Sequence, residues 1–359
     1  MSFPKINIIF KSTATKTIQK LSRGIVGLIV KDSEAVAGVH VLDSISEVPQ
    51  GLSQANLGYV QEAFMGGLKA PRQVILFVIG GEAHTLNTVI SALEVYRTDY
   101  VAFPEASTQE VTTLVNGVKN LRDAKDKTVK CVVADNAANH EGVINFVTSD
   151  MTIEGKEEAV KAQTYTGRIA GLLAGTPQES SVTFYNLSEV KDIAKRITKD
   201  EASKSIGEGK LVLFHDGAKV KIARGVNSLV NLTDDKGDEF KKIKVVDVLD
   251  MIKDDIKTTV EDNYIGKVQN DYANKCLLMN AINGYFEELE VSNILEVGSN
   301  KCEIDIDATR AYLKSLGKDV ESMKDAELKS ANTRDMVFLK ASIQVIDSME
   351  VIEFNVSLN

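Results

Sequence analysis

The chain contains no tryptophan, only five prolines, of which Pro177 is the last, and three cysteines in 359 residues. Three cysteines are few and odd in number, which argues against a framework of disulfide bonds. Cys131 lies in an apolar strand-like run and Cys276 on an apolar helix face. We therefore expect reduced thiols that serve as small core residues of a protein made in the cytosol.

Other absences exclude whole classes of function. No uninterrupted apolar run approaches the ~18 residues of a membrane-spanning helix, so no membrane partner is expected. The first residues, from Met1 to Ile6, lack the apolar core of a signal peptide, so we expect no Sec export. The net charge is −9, which argues against a nucleic-acid partner bound by neutralisation of its phosphates.

The composition is that of a globular protein with ample material for a core. Hydrophobic residues make up 43% of the chain and charged residues 26%. The length suggests about two or three domains on the usual prior of ~150 residues each.

Strand-like apolar runs alternate with helix-like segments through the first half of the chain. The expected strands are 24–30, 36–42, 74–79, 100–103, 129–133, 143–147 and 182–185, and the expected helices lie near 53–68, 86–96, 107–121 and 156–173. Ser107 and Glu110 form the S-x-x-E pattern of a capping box. The alternation predicts a mostly parallel sheet with helices on both sides.

The character of the chain changes near residue 207. Two strand-like runs, 210–214 and 219–223, flank an Asp216-Gly217 hairpin turn. Two long amphipathic helices follow, and an α+β portion ends the chain. The fold class is therefore α/β plus α+β. The predicted domains are an N-terminal arm (1–22), an α/β domain (23–200), an α+β core domain (201–345) and a C-terminal arm (346–359).

Both ends of the chain show the period of two that is typical of a strand with one buried face. The apolar positions are Ile6, Ile8 and Phe10 at one end, and Ile352, Phe354, Val356 and Leu358 at the other. A polar tether, residues 11–20, joins the first strand to the body. Because chain ends usually fray, two apolar terminal strands indicate arms that pair with another molecule by strand addition. The alternative is that both strands pair within their own subunit.

The second half of the chain resembles the tail sheath proteins of contractile phage tails and related injection machines. The residues that carry the resemblance lie in ordered blocks, 207–213, 220–229 with Arg224-Gly225-Val226-Asn227-Ser228, 240–256, 264–270 with Tyr264-Ile265-Gly266-Lys267, and 281–286. Residues 23–27 and 345–350 are similar to the segments that adjoin the family's arms. The chain is short for the family and most similar to sheaths of phage-like elements and bacteriocins of Gram-positive bacteria, which implies that outer decorating domains are missing.

The resemblance implies a structural function rather than an enzymatic one. Sheath subunits form hexameric rings that stack in a helix around an inner tube, and their arms add strands to sheets on neighbouring subunits. Contraction drives the tube through a target envelope. The implied partners are further copies of the chain, the tail tube protein, the baseplate and the tail terminator. The protein would be assembled in the bacterial cytoplasm and released on lysis, with residues 245–290 nearest the tube.

Two charged features are candidates for contacts within such an assembly. Arg224 follows a hairpin strand, where it either locks the fold through a salt bridge or contacts an acidic neighbour. A helix over residues 246–262 could present acidic charge to a neighbour or to the tube. Its acidic residues are Asp247, Asp250, Asp254, Asp255, Glu261 and Asp262.

No pattern predicts a catalytic residue, a cofactor site or a metal site. Residues 207–210 lack the spacing of a phosphate-binding loop. The four histidines, His40, His84, His140 and His215, do not have metal-ligand spacing. Asp305-Ile306-Asp307 lacks the remaining ligands of a calcium loop.

Two alternative functions stay open at this point. One is an α/β enzyme that binds a nucleotide or small molecule at the carboxyl ends of its strands, near Gly80, Gly81, Asp135 and Asn136. The other is an adaptor or tail-tube protein, although the chain's length and helices count against a tube subunit.

Overall fold

The structure is a computed structural model that describes residues 17–357. The chain divides into two compact units. The sheet unit comprises Ser22–Met251 and Asp347–Asn359, and the helix unit comprises Met1–Leu21 and Ile252–Ile346. The four domains expected from the sequence stay a prediction.

The sheet unit is built around an eight-stranded sheet. Its strands in sheet order are β10 (Val220–Ile222), β9 (Leu211–His215), β6 (Val143–Val147), β5 (Lys130–Ala134), β4 (Tyr100–Ala102), β1 (Ile25–Lys31), β3 (Gln73–Ile79) and β2 (Gly38–Leu42). The six strands from β9 to β3 pair in parallel, whereas β2 and β10 close the edges in antiparallel fashion. The predicted mainly parallel sheet is thus confirmed.

Successive residues of a strand point to opposite faces of the sheet. Both faces of this sheet are apolar, and helices cover both. The helices of the unit are α1 (Gln54–Met65), α2 (Leu86–Ala92), α3 (Thr108–Asp123), α4 (Thr166–Ala174) and α5 (Lys199–Gly207). Leu28 belongs to one core with residues of α1 and α4, and its neighbour Ile29 belongs to a second core with residues of α2 and α3. Close packing of α1 on α4 depends on Gly171, where a Cβ atom would lie 2.0 Å from the carbonyl oxygen of Ala63.

The structure differs from the sequence expectation between residues 151 and 207. The predicted strand 182–185 is absent, since Phe184 has φ of 57° and interrupts an extended chain. The helix expected near 156–173 begins only at Thr166. Before it, Val160 exchanges two main-chain hydrogen bonds of 2.8 Å with Met151. The chain instead forms a small antiparallel pair, β7 (Met151–Ile153) with β8 (Val190–Ile193).

The helix unit contains long helices and a small sheet. Its elements are α6 (Ile243–Asn263), whose first residues belong to the sheet unit, then α7 (Tyr272–Val291), β11 (Lys301–Ile304), α8 (Ile306–Ser315), α9 (Asp325–Ser330) and β12 (Leu339–Ser342). One face of α7, with Leu278, Ile282, Tyr285 and Leu289, is buried. In the part of the chain that the structure describes, no helix has the length and apolar character needed to cross a membrane.

Candidate functional site

The most unusual surface of the described chain is its C-terminal end. Residues 351–357, here called the arm tip, form neither a helix nor a strand. Ile352 is 79% exposed, Phe354 84% and Val356 66%, although all three are apolar. Contiguous exposed apolar side chains of this kind mark interaction sites. Leu358, like Ile6, Ile8 and Phe10, lies outside the described residues.

A set of hydrogen bonds fixes the chain immediately before the arm tip. We call residues 347–350 the arm root. The Arg224 Nε atom lies 2.7 Å from one carboxylate oxygen of Glu350, and the hydroxyl of Thr183 donates to the other at 2.6 Å. Arg224 therefore contacts an acidic residue of its own chain. Charge-assisted bonds of this kind are stronger than neutral ones, so Glu350 ties the root to the sheet unit.

Two lysines of the sheet unit hold the first residues of the arm root. Lys242 forms a salt bridge with Asp347, and the Lys244 Nζ atom lies 3.3 Å from the hydroxyl of Ser348. Burial alone would raise the pKa of Asp347, but the hydrogen bonds from Lys242 and from the N–H of Ser348, together with the charges of Lys242 and Lys244, outweigh it and hold the pKa below its ordinary value. Partial burial lowers the pKa of Lys244. The root is thus anchored at three of its four residues.

The N-terminal end of the described chain is also attached, in this case within the helix unit. The side chain of Ile18 is only 2% exposed. The backbone N–H of Gln19 donates to Thr259 Oγ1 at 3.0 Å, and that of Leu21 donates to Asp255 Oδ1 at 2.9 Å. Residues 18–21 therefore lie along α6.

Half of the six acids expected to present charge to a neighbour or to the tube are instead buried and paired within the chain. Asp255 is fully buried, and its second oxygen accepts a hydrogen bond from the Tyr285 hydroxyl at 2.8 Å. Asp247 and Asp250 are also buried, at least in large part, and paired as described below. Of the six acids on this helix, Glu261 and Asp262 are exposed.

Asp250 is the centre of a buried ion cluster in the sheet unit. Both terminal nitrogens of Arg122 donate to its carboxylate, at 2.9 and 3.0 Å, and Lys130 Nζ donates at 2.7 Å. Burial alone would raise the pKa of Asp250, but Lys130 and Arg122 outweigh it and lower the pKa. Asp247 accepts from the Tyr100 hydroxyl at 2.6 Å and lies 3.1 Å from Lys130. The cluster joins the start of α6 to α3, β4 and β5.

Among residues 17–357, one group of side chains has the composition of a metal site. Asp123, His140 and Glu141 bring ligand atoms within 4.8 Å of one another. However, His140 Nδ1 accepts a hydrogen bond from the N–H of Gly142 at 3.0 Å, so in the neutral ring the proton is on Nε2, facing Asp123 at 3.2 Å. Glu141 forms a salt bridge with Lys236 at 2.8 Å. The arrangement is that of an ion-pair cluster, in which Lys236 and not a metal ion neutralises Glu141.

The carboxyl ends of the parallel strands, where an α/β enzyme would bind its ligand, are occupied by the protein itself. The side-chain amide of Gln163 donates to the carbonyl of Phe103 at 2.7 Å and accepts from the N–H of Ala134 at 3.3 Å. It thereby bridges the ends of β4 and β5. Next to it, the N–H of Asn136 donates to Asn145 Oδ1 at 2.9 Å. These polar groups form hydrogen bonds with one another rather than with a ligand.

Comparison with known proteins gives a consistent result. Residues 79–228 match the family profile of the phage tail sheath protein central domain, and residues 235–359 match that of the phage tail sheath C-terminal domain. The tail sheath protein of Clostridium phage phiCD119 is 35% identical over 358 residues, and the alignment covers 98% of each chain.

Solved structures show the same fold at low sequence identity. The contracted helical sheath of the anti-feeding prophage has a TM-score of 0.73 at 12% identity, with all of both chains covered. A chain in the 6-fold symmetrised baseplate of the anti-feeding prophage has a TM-score of 0.70 at 11% identity, covering 100% of this chain and 99% of that one.

These findings define a structural component of a phage or phage-like tail particle, because the relatives and structural neighbours are structural sheath proteins and not enzymes. With a relative 35% identical along nearly the full length and two matched domains, the chain belongs to the phage tail sheath protein family. The family resemblance found in the sequence is confirmed. The alternatives of an α/β enzyme and of a tube subunit are not supported by any of these relatives.

Proposed function

We propose that the chain polymerises as stacked hexameric rings around an inner tail tube, and that the rings contract to drive the tube through a target cell envelope. The observation that carries this proposal is the arm tip, whose apolar residues are exposed while the residues before them are anchored. A soluble monomer gains nothing from such a segment. Burying each large apolar side chain against a neighbour contributes about 1.5–3 kcal/mol.

An anchored root with a free tip suits a joint between moving subunits. Strand addition through main-chain hydrogen bonds would hold the tip on a neighbour, while the bodies rotate and slide as packed rigid parts. The extended sheath would be a kinetically trapped state that the baseplate releases. Small free-energy differences per subunit then sum over the whole tail.

Stacked rings around an inner tube imply further partners. Besides copies of itself, the chain would contact the tail tube, the baseplate and the tail terminator, and neither nucleic acid nor membrane. The helices α6 and α7 are our proposal for the layer nearest the tube. Assembly would take place in the bacterial cytoplasm, with release of the tail particle on lysis.

The proposal can be tested by changing one face of the arm tip. The variant I352S/F354S/V356S removes the apolar face and keeps the length of the chain. Because the three side chains are exposed in the monomer, we expect an unchanged melting temperature. In sedimentation velocity we expect loss of the large assemblies that the unaltered chain forms.

The matched control alters the other face of the same segment. E353A/N355A/S357A changes three side chains that are also exposed and should leave assembly largely intact. If the apolar-face variant assembled as well as the unaltered chain, the arm tip would not be the joint and the proposal would be wrong.

A further inference from the structure

The helix unit contains a cavity where the end of α6, the turn after it and the start of α7 meet residues 334–337. Its volume is about 690 Å³, which is within the range of about 300–1,000 Å³ that ligand pockets span. Ile265 is 64% exposed, so this apolar surface is open to solvent. The apolar side chains of the wall include Val260, Ile265, Val268, Leu278 and Val337.

Lys275 of α7 brings a buried positive charge to this cavity. The residue lines the cavity and is only 5% exposed. Its ammonium donates to the carbonyl oxygen of Ala331 and to Thr333 Oγ1, both at 3.2 Å, and forms no salt bridge with any residue from 17 to 357. Burial lowers the pKa of Lys275, and the charge of Asp271 offsets only part of this effect. Because buried charges are normally paired with opposite ones, an anion is the group that this ammonium would bind.

The side-chain amide of Asn270 lines the cavity next to Lys275. Its nitrogen donates to Thr333 Oγ1 at 3.2 Å, the same hydroxyl oxygen that accepts from Lys275. It also donates to the carbonyl oxygens of Arg334 and Met336, at 2.7 and 2.9 Å. Because carbonyl oxygens only accept, these bonds fix which way the amide points. The oxygen of the amide is buried and accepts no hydrogen bond from the residues that the structure describes, so it offers an acceptor beside the ammonium.

Arg334 adds a second positive charge at the wall of the cavity. It is exposed, and its guanidinium contacts no acidic group in the described part of the chain. Its φ is 56°, in the left-handed region that few residues other than glycine adopt. A long charged residue that is kept in this conformation beside a cavity points to a functional role. Asp335 also lines the cavity but is exposed, so the buried end of the cavity stays positive.

We propose that this cavity binds the free C-terminal end of a peptide whose last residues are apolar. The terminal carboxylate pairs with Lys275, and the last peptide N–H donates to Asn270 Oδ1. The apolar side chains of the peptide lie against Ile265 and Val268. Capture of a C-terminal carboxylate is one of the general modes of peptide recognition. A fatty acid matches the charge and the walls, but it has no donor for Asn270, which favours the peptide.

The test is fluorescence anisotropy with the full-length chain. The probe is a hexapeptide that ends in two leucines and carries fluorescein at its N-terminus. We expect saturable binding of this probe, and about tenfold weaker binding of the same peptide with an amidated C-terminus, because a hydrogen bond to a charged group is lost. Equal affinity for the two peptides, or no saturable binding of the first, would overturn the proposal.

Lys275→Met removes the charge and keeps the length of the side chain. We expect about a tenfold loss of affinity for the probe, with a melting temperature within a few degrees of the original, since replacing buried charged groups by apolar ones is often neutral. Lys314→Met, which removes a 70% exposed lysine of α8, is the matched control and should bind the probe normally. If both variants bound it equally well, Lys275 would only hold the loop at 331–333 and the proposal would be wrong.

Arg334→Gly tests the site without removing a buried group. Glycine adopts the left-handed conformation without strain, so this variant should fold whether or not Lys275→Met does. We expect about two- to fivefold weaker binding of the probe, the effect of one exposed charge, and no change for the amidated peptide. An equal loss for both peptides would show that Arg334 does not act on the carboxylate and would count against the site.

Competition with sodium decanoate identifies the source of the carboxylate. The unlabelled peptide should displace the probe at concentrations about tenfold lower than decanoate does, and the reverse order would make this a site for small apolar acids and overturn the assignment. The inference does not rest on the arm joint. I352S/F354S/V356S should bind the probe with unchanged affinity even where it fails to assemble, and loss of binding in that variant would contradict the site.

Discussion

At the scale of single residues, Arg224 shows what a sequence can and cannot reveal. Its position after a hairpin strand and before Gly225 singles it out, and the two roles considered for it were a fold-locking salt bridge and a contact between subunits. The structure pairs it with Glu350, 126 positions further on. No local spacing could predict this partner, because the pairing depends on where the end of the chain returns. Arg224 thus anchors the arm root to its own subunit.

We predict that Glu350→Gln loosens the arm root without unfolding the protein. The side chain of Arg224 is 38% exposed, and pairs this exposed contribute about 1 kcal/mol or less. Limited proteolysis with mass spectrometry should show faster cleavage at residues 347–351, with a melting temperature within a few degrees of the original. Glu353→Gln, beyond the root, is the control and should cleave at the unaltered rate. Equal cleavage of both variants would show that the Arg224–Glu350 pair anchors nothing.

The acid stability of the root follows from Asp347. Its pKa is lower in the folded chain than the ordinary value of about 3.9. A carboxyl with a depressed folded pKa contributes stability above its unfolded pKa and loses it as the pH falls through the folded pKa. Hydrogen exchange of residues 347–350, corrected for the intrinsic rate, should therefore be the same at pH 8 and pH 5. Faster opening at pH 5 would contradict the assigned salt bridge with Lys242.

At the scale of elements, the spacing of apolar residues predicts more of the structure than the positions of charged residues do. The apolar spacing of α6 and α7 and the alternation of strands with helices predict the two long helices and the mainly parallel sheet, since both patterns persist over many residues. The burial of Asp247, Asp250 and Asp255 could not be predicted, because their partners Arg122, Lys130 and Tyr285 are on other elements. The pieces β7, β8 and α5 were missed, since they are short and depend on tertiary contacts.

We predict that Asp250→Asn strongly destabilises the sheet unit. The substitution keeps the shape of the side chain but leaves the buried charges of Arg122 and Lys130 without their main partner. Breaking a buried ion pair in this way typically costs about 3–5 kcal/mol. Denaturant unfolding of a monomeric chain lacking residues 351–359 measures the loss. Asp262→Asn, at an exposed position of the same helix, should change stability by ~0.5 kcal/mol or less, and equal effects would contradict the cluster's role.

At the scale of the whole molecule, the folded body and the free end have different tasks. Within each unit buried charged groups are paired, as at Asp250 in the sheet unit and at Asp255 in the helix unit. The arm tip exposes four large apolar residues, Val351, Ile352, Phe354 and Val356, directly after the anchored arm root. Family membership could be predicted from the ordered sequence blocks. The anchoring of the arm root could not, because its partners Thr183, Arg224 and Lys242 are far from it along the chain.

The central claim is that this chain becomes a sheath through its C-terminal arm. Negative-stain electron microscopy of the purified full-length protein, beside a chain lacking residues 351–359, tests it most directly. We expect striated tubes or stacked rings from the full chain alone, and folded monomers from the shortened one. Tubes from both proteins, with the same striation, would contradict the claim.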